Sequence, residues 1–293
     1  MIYDLIIYEV NDKHKVLRHT DELTQDELKI VSDFRKQYTN YASYKDLFHA
    51  SLDNYLELSR YLEKKESNEP TGGFGGMSSN VNRMLINYLS SMKMFVDHTE
   101  IKFKKHYGAK SDIFKKWKTL TSREYDEHFA YRFLYKLRNY TQHIGFPIDS
   151  VSISHVDRDK RVIVPYFVRD RLLESSFDWD GRLKKDLKEQ SNDFRIFPLL
   201  NKNNGCLARI YQATLSVFAK ELCEALENYN RLLVKKSIKG RPYIACFENE
   251  EDRRLKLNNL NGENFSSLNI NPLPYDEMYE CYDDLRNYYI IRG

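Results

Sequence analysis

The stretch Leu137 to Ile148, LRNYTQHIGFPI, closes a helical pattern on Gly145-Phe146-Pro147 and carries Arg138, Asn139, Gln142 and His143 together in its last turns. Pro147 cannot continue a helix, and Gly145 suits a left-handed stop. The helix is read from about Ser122 to about His143, opened by the capping-box pattern Thr121-Ser-Arg-Glu124. Its apolar stripe is Ala130, Phe133, Leu134, Leu137, Thr141 and Ile144, which leaves the four polar residues off the core face. With Leu137 pointing inward, Arg138 and His143 lie about 140° apart around the axis, with Asn139 and Gln142 between them.

Upstream, Thr24-Gln-Asp-Glu27 is a second capping box, heading a series of apolar residues from Leu28 to Leu62 at near-helical spacing. This predicts one long helix, or two broken near Thr39-Asn40. Another long helix follows from Ser78 to Tyr107, stopped by Gly108, and a short one covers Ser111 to Trp117. Between the first two, Ser67 to Met77 is polar and glycine-rich, a loop lacking the Gly-Lys-Ser/Thr ending that would cradle phosphate. IYDLIIYEV at residues 2 to 10 pairs in pattern with VLRH as a hairpin. After Pro147, SVSISHV and RVIVPYFV alternate around a charged turn as a second hairpin. A short helix at Gly181 to Lys188, a long amphipathic helix near Leu207 to Val234, a strand YIACFE and a terminal helix from Tyr275 to Ile291 complete the pattern, with Asn258 to Pro274 irregular.

The expected fold class is therefore α+β, mainly α: an antiparallel helical bundle with short β-hairpins and a mixed C-terminal region. Residues 1–148 are read as hairpin plus bundle and 149–293 as an accessory region. A hydrophobic fraction of 41% is enough to build a core, and 46 Lys plus Arg against 43 Asp plus Glu give only +3, so net charge alone names no polyanionic partner. No apolar run reaches the roughly 18 residues of a membrane span. The first residues lack the basic start of a signal peptide, so a cytoplasmic protein is expected. Cys206, Cys223, Cys246 and Cys281 form no CxxC pair, and the histidines form no HExxH, which argues against a zinc ribbon and zinc hydrolysis.

The run Arg138-Asn139-Tyr140-Thr141-Gln142-His143 resembles the signature of the HEPN family: Arg, a polar residue often Asn, then His after three more residues. The resemblance covers about residues 24 to 148. It implies a small helical bundle with the motif late in a helix. It also implies metal-independent ribonuclease activity in a homodimer whose two motifs face one cleft, a toxin or phage-defence setting, and an inhibitor protein as a further partner. By the same resemblance an upstream acid couples to the Arg, with Glu100 and Asp97 as candidates.

The residue types suit that chemistry. Cleavage of RNA by its own 2′-OH needs a proton carrier near neutral pH, which His143 supplies, and a fixed cation for charge developing on phosphorus, which Arg138 supplies. Asn139 would hold the imidazole or a phosphate oxygen. No metal or cofactor is called for. Lys102, Lys104 and Lys105, interleaved with Phe95, Phe103, Tyr107, Phe114 and Trp117, together with Gln142, are candidate RNA contacts, because lysines neutralise phosphates and aromatic faces stack on bases. A non-catalytic module that binds RNA, a nucleotide or a protein through the same residues is the alternative. Asp157 and Asp159 with Lys160 read as turn residues.

Overall fold

The computed structural model describes residues 1–11, 14–67, 76–148, 151–157, 160–238, 241–258 and 269–288. Most of the glycine-rich loop, the turn holding Asp159 and most of the irregular stretch after Asn258 lie outside them. Among the described residues the order is β1 (Ile2–Asn11), β2 (His14–Glu22), α1 (Gln25–Ser67), α2 (Met77–Tyr107), α3 (Asp112–Glu127), α4 (Phe129–His143), β3 (Val151–Asp157) and β4 (Lys160–Val168). There follow α5 (Arg169–Glu174), α6 (Gly181–Lys188), β5 (Asp193–Arg195), α7 (Ile196–Lys235), β6 (Arg241–Phe247), α8 (Glu250–Asn258), β7 (Asn269–Pro272) and α9 (Asp276–Tyr288). The chain is α+β and mainly helical, as its patterning predicts. No helix of the described residues is long and apolar enough to cross a membrane.

Two compact units form, residues 1–42 with 215–293, and residues 43–214. The boundary expected after residue 148 falls inside the second unit, and the reason is the face of α4. Phe133 packs on Phe167, Trp179 and Phe194, and Tyr140 stacks on Trp179 at 5.7 Å. Aromatic residues from β4, β5 and the segment before α6 thus cover a helix that would otherwise expose a large apolar area.

In the first unit an antiparallel sheet runs in the order β2-β1-β6-β7. Ile6, Ala245 and Phe247 form one cluster of its core, with Leu257 of α8 against it. The buried Asp4 carboxylate is matched by Arg253 at 2.8 Å and His19 at 2.7 Å. The Thr24 capping box forms as its spacing predicts: Thr24 N–H donates to Glu27 at 3.0 Å and Glu27 N–H donates to the Thr24 hydroxyl at 3.2 Å. The helix it opens is unbroken through Thr39-Asn40.

Burial pushes the Glu27 carboxyl up, but the Thr24 N–H and the ammonium groups of Lys235 and Lys236 outweigh it and hold the group down at about 2, from an ordinary 4.5. A depressed carboxyl contributes stability that is complete above its unfolded pKa and is lost as pH falls through the folded one. Glu27→Gln is expected to cost roughly 1–3 kcal/mol near neutral pH. In chemical denaturation the gap between wild type and variant should close as pH is lowered from 4.5 to about 2.

The second unit holds the bundle: residues 43–67 of α1, then α2, α3, α4 and the first turns of α7, with the sheet β3-β4-β5 and the short helices α5 and α6. Phe48 stacks on Tyr211 at 4.4 Å, with Phe95 tilted against it at 5.6 Å. Phe103 meets Trp117, whose indole N–H donates to the Thr214 hydroxyl at 3.0 Å. A buried polar chain joins α7 to α2: Asn203 donates to Tyr88, which donates to Asn204, each at 2.7 Å.

Candidate functional site

The helix expected over residues 122–143 is two helices. Ser111 caps α3, its hydroxyl accepting from Phe114 N–H at 3.1 Å, so the Thr121 to Glu124 pattern lies inside that helix and caps nothing. His128 then breaks the run in extended backbone, φ −114° and ψ 107°. It ends α3 through its N–H to Glu124 C=O and begins α4 through its C=O, which accepts from Arg132 N–H. The buried side of α4 also differs from the expected stripe. Tyr140 is buried, while Ile144 is 39% exposed beyond the helix end. Gly145 has positive φ, but at 150° it is not in the left-handed helical well.

After α4 the chain is fixed rather than loose. Asn82 of α2 donates to Ile148 C=O at 2.6 Å and accepts Ile148 N–H at 3.0 Å, and Ser78 adds a 3.3 Å bond to the same carbonyl. Ile148 is buried, and Phe146 stands 53% exposed. Arg138, Asn139, Gln142 and His143 thus share the end of α4 with an apolar rim of Ile144 and Phe146.

Within this set Arg138 donates to the Gln142 side chain, and its buried Nε has no hydrogen-bond partner among the described residues. Asn139 is half-buried and His143 exposed. Among the described residues neither side chain has a hydrogen bond, so the i, i+4 bond from Asn139 to the imidazole is not formed. Among the described residues no hydrogen bond joins Arg138 to His143. Gln142, expected as an RNA contact, is the partner of Arg138.

The proposed upstream acids are engaged elsewhere. Glu100 accepts from Lys104 and Lys118 at 2.6 Å each, and Asp97 pairs with Lys93 at 3.0 Å. Lys102 donates to Ser43 C=O at 3.1 Å beside the Tyr44 ring, and burial pushes its pKa down. Of the three lysines expected to face RNA, Lys105 is exposed with no ion pair among the described residues, while Lys104 is neutralised by its own helix. The aromatic residues between them are core: Phe95, Phe103, Phe114 and Trp117 are buried. A cleft of about 320 Å³ between α2, α3 and α4 is lined by Tyr125, Tyr131, Tyr135, Glu100 and Lys118.

A further polar cluster sits where α3 gives way to α4. Arg209 of α7 donates to both oxygens of Glu124, at 2.8 and 2.7 Å, and its Nη2 lies 3.1 Å from His128 Nε2 and 3.3 Å from Cys206 Sγ. His128 Nε2 also lies 3.3 Å from the Glu124 carboxylate. Burial pushes the Glu124 carboxyl up and Arg209 more than reverses it; burial and the Glu124 carboxylate push the Cys206 thiol up to about 12. Sequence spacing offered two halves of this cluster, Glu124 with His128 and Cys206 with Arg209, each one helical turn apart. Nothing in sequence joins them, because Arg209 follows His128 by 81 residues.

The chain matches no protein-family model, no curated protein and no solved structure.

Proposed function

We propose that this protein is a metal-independent RNA endonuclease of HEPN type. The observation that carries the reading is the concentration of Arg138, Asn139, Gln142 and His143 at one helix end, followed by a loop that Asn82 anchors at Ile148. None of the four is fully buried, and three belong to the HEPN-like signature. His143 moves the proton of the 2′-OH, Arg138 holds the phosphate through its paired donors, and Asn139 orients one or the other. A second copy completes the site, and the exposed Ile144 and Phe146 supply apolar surface for that contact. A toxin or phage-defence role, an inhibitor protein and a cytoplasmic location belong to the same proposal.

The bond from Arg138 to Gln142 favours one second reading, a non-catalytic module that grips RNA, a nucleotide or a protein with these side chains. Incubating the purified chain with RNA in the presence of EDTA separates the two. Cleavage that persists in EDTA and is lost in Arg138→Ala supports the nuclease, whereas binding without cleavage supports the module.

A further inference from the structure

Glu124, His128 and Cys206 present one ligand atom each, all within 4.8 Å of one another. The point they face is taken by Arg209 Nη2, at 2.7 Å from Glu124, 3.1 Å from His128 and 3.3 Å from Cys206. The Cys206 thiol is bonded to the Glu124 carboxylate as well, so four side chains converge on one point. An ion pair between Glu124 and Arg209 needs neither a thiol nor an imidazole lone pair at the same point. The extended backbone of His128 is what turns its ring there, since the side chain caps neither helix.

We propose that Glu124, His128 and Cys206 form a binding site for a thiophilic divalent cation, zinc above all, for which Arg209 stands in when the metal is absent. A carboxylate, an imidazole and a thiolate are a zinc donor set, and the sulfur disfavours magnesium and calcium. Zinc requires bonds of about 2.0–2.3 Å, so the three donors must draw in by about 1 Å from their present spread. Binding releases the Cys206 thiol proton to solvent, leaving the thiolate on the metal. Arg209 keeps its charge and swings outward, which its 42% side-chain exposure allows. The equally exposed His128 marks the path by which the ion enters, and the buried Glu124 and Cys206 form the floor. A fourth position stays open to water. The site lies at the start of α4 and the Arg138–His143 set at its end, about 22 Å along a 15-residue helix, so the two proposals are independent.

The test is titration of the full-length, metal-free chain with Co²⁺ alone, followed by Zn²⁺ as competitor. One equivalent of Co²⁺ is expected to give a thiolate-to-cobalt charge-transfer band that Zn²⁺ abolishes. Cys206→Ser should lose the band, Cys223→Ser and Cys246→Ser should keep it, and Arg209→Met should bind at least about tenfold more tightly because no resident cation has to leave. Far-ultraviolet circular dichroism establishes that each variant is folded, and a conservative Glu124→Gln replaces any that is not, with weaker binding expected. No band in the wild type, a band only in Arg209→Met, or a band that survives Cys206→Ser overturns the proposal.

Discussion

His143→Ala is expected to slow RNA cleavage by about 10²- to 10⁴-fold, the usual range for a positioned proton-transfer group, with thermal stability unchanged. The second half of that expectation follows from the structure. His143 is exposed, has no hydrogen bond among the described residues and sits in the final turn of α4. Truncating it strands no hydrogen-bond partner among the described residues. The decisive measurement is single-turnover cleavage beside a melting curve. Equal rates for wild type and variant would end the nuclease proposal, while a lower melting temperature matched to the rate loss would assign His143 to the fold. If chains carrying only Arg138→Ala and chains carrying only His143→Ala recover activity on mixing, the site is completed between copies.

Asn82→Ala is expected to destabilise the protein by about 2–4 kcal/mol, because it strands both the N–H and the C=O of the buried Ile148, each costing roughly 1–3 kcal/mol when unmet. Ser78, at 3.3 Å from the same carbonyl, recovers part of that loss. The same change frees residues 144–147, which carry Ile144 and Phe146 beside the candidate site. Urea denaturation measures the first effect, and proteolysis in the loop the second. A variant as stable as the wild type would show that the two backbone bonds are replaced by water and that the loop is not held by α2.

Much of the architecture was legible because it rests on local periodicity. The Thr24 box, the two hairpins, the long helices and the strand ending in Phe247 follow from capping, alternation and apolar spacing, which act over a few residues. The end of α4 was legible for the same reason, since Pro147 cannot continue a helix past its own position, although Gly145 does not take the left-handed helical conformation expected of it. The break at His128 was not. Residues on both sides favour helix, and Ser111, not Thr121, has the hydroxyl placed to open the earlier one.

By itself, then, the sequence determined the long helices, the two hairpins and the strand ending in Phe247, and that Arg138, Asn139, Gln142 and His143 share one helix end; it did not mark α5, α8, β5, the start of α7 at Ile196, or β7, which falls in the stretch expected to be irregular. Gln142 with Arg138 and Glu100 with Lys104 are i, i+4 pairs that helical spacing allows, whereas tertiary structure alone brought Lys118 to Glu100 and Lys102 to the Ser43 carbonyl. It also extended the bundle past residue 148, through the stacking of Trp179 on Tyr140, and brought Glu124 and His128 to Cys206 and Arg209. Local propensity acts through covalent neighbours, whereas long side chains choose partners by burial and charge across elements distant in sequence, and no spacing rule encodes that choice.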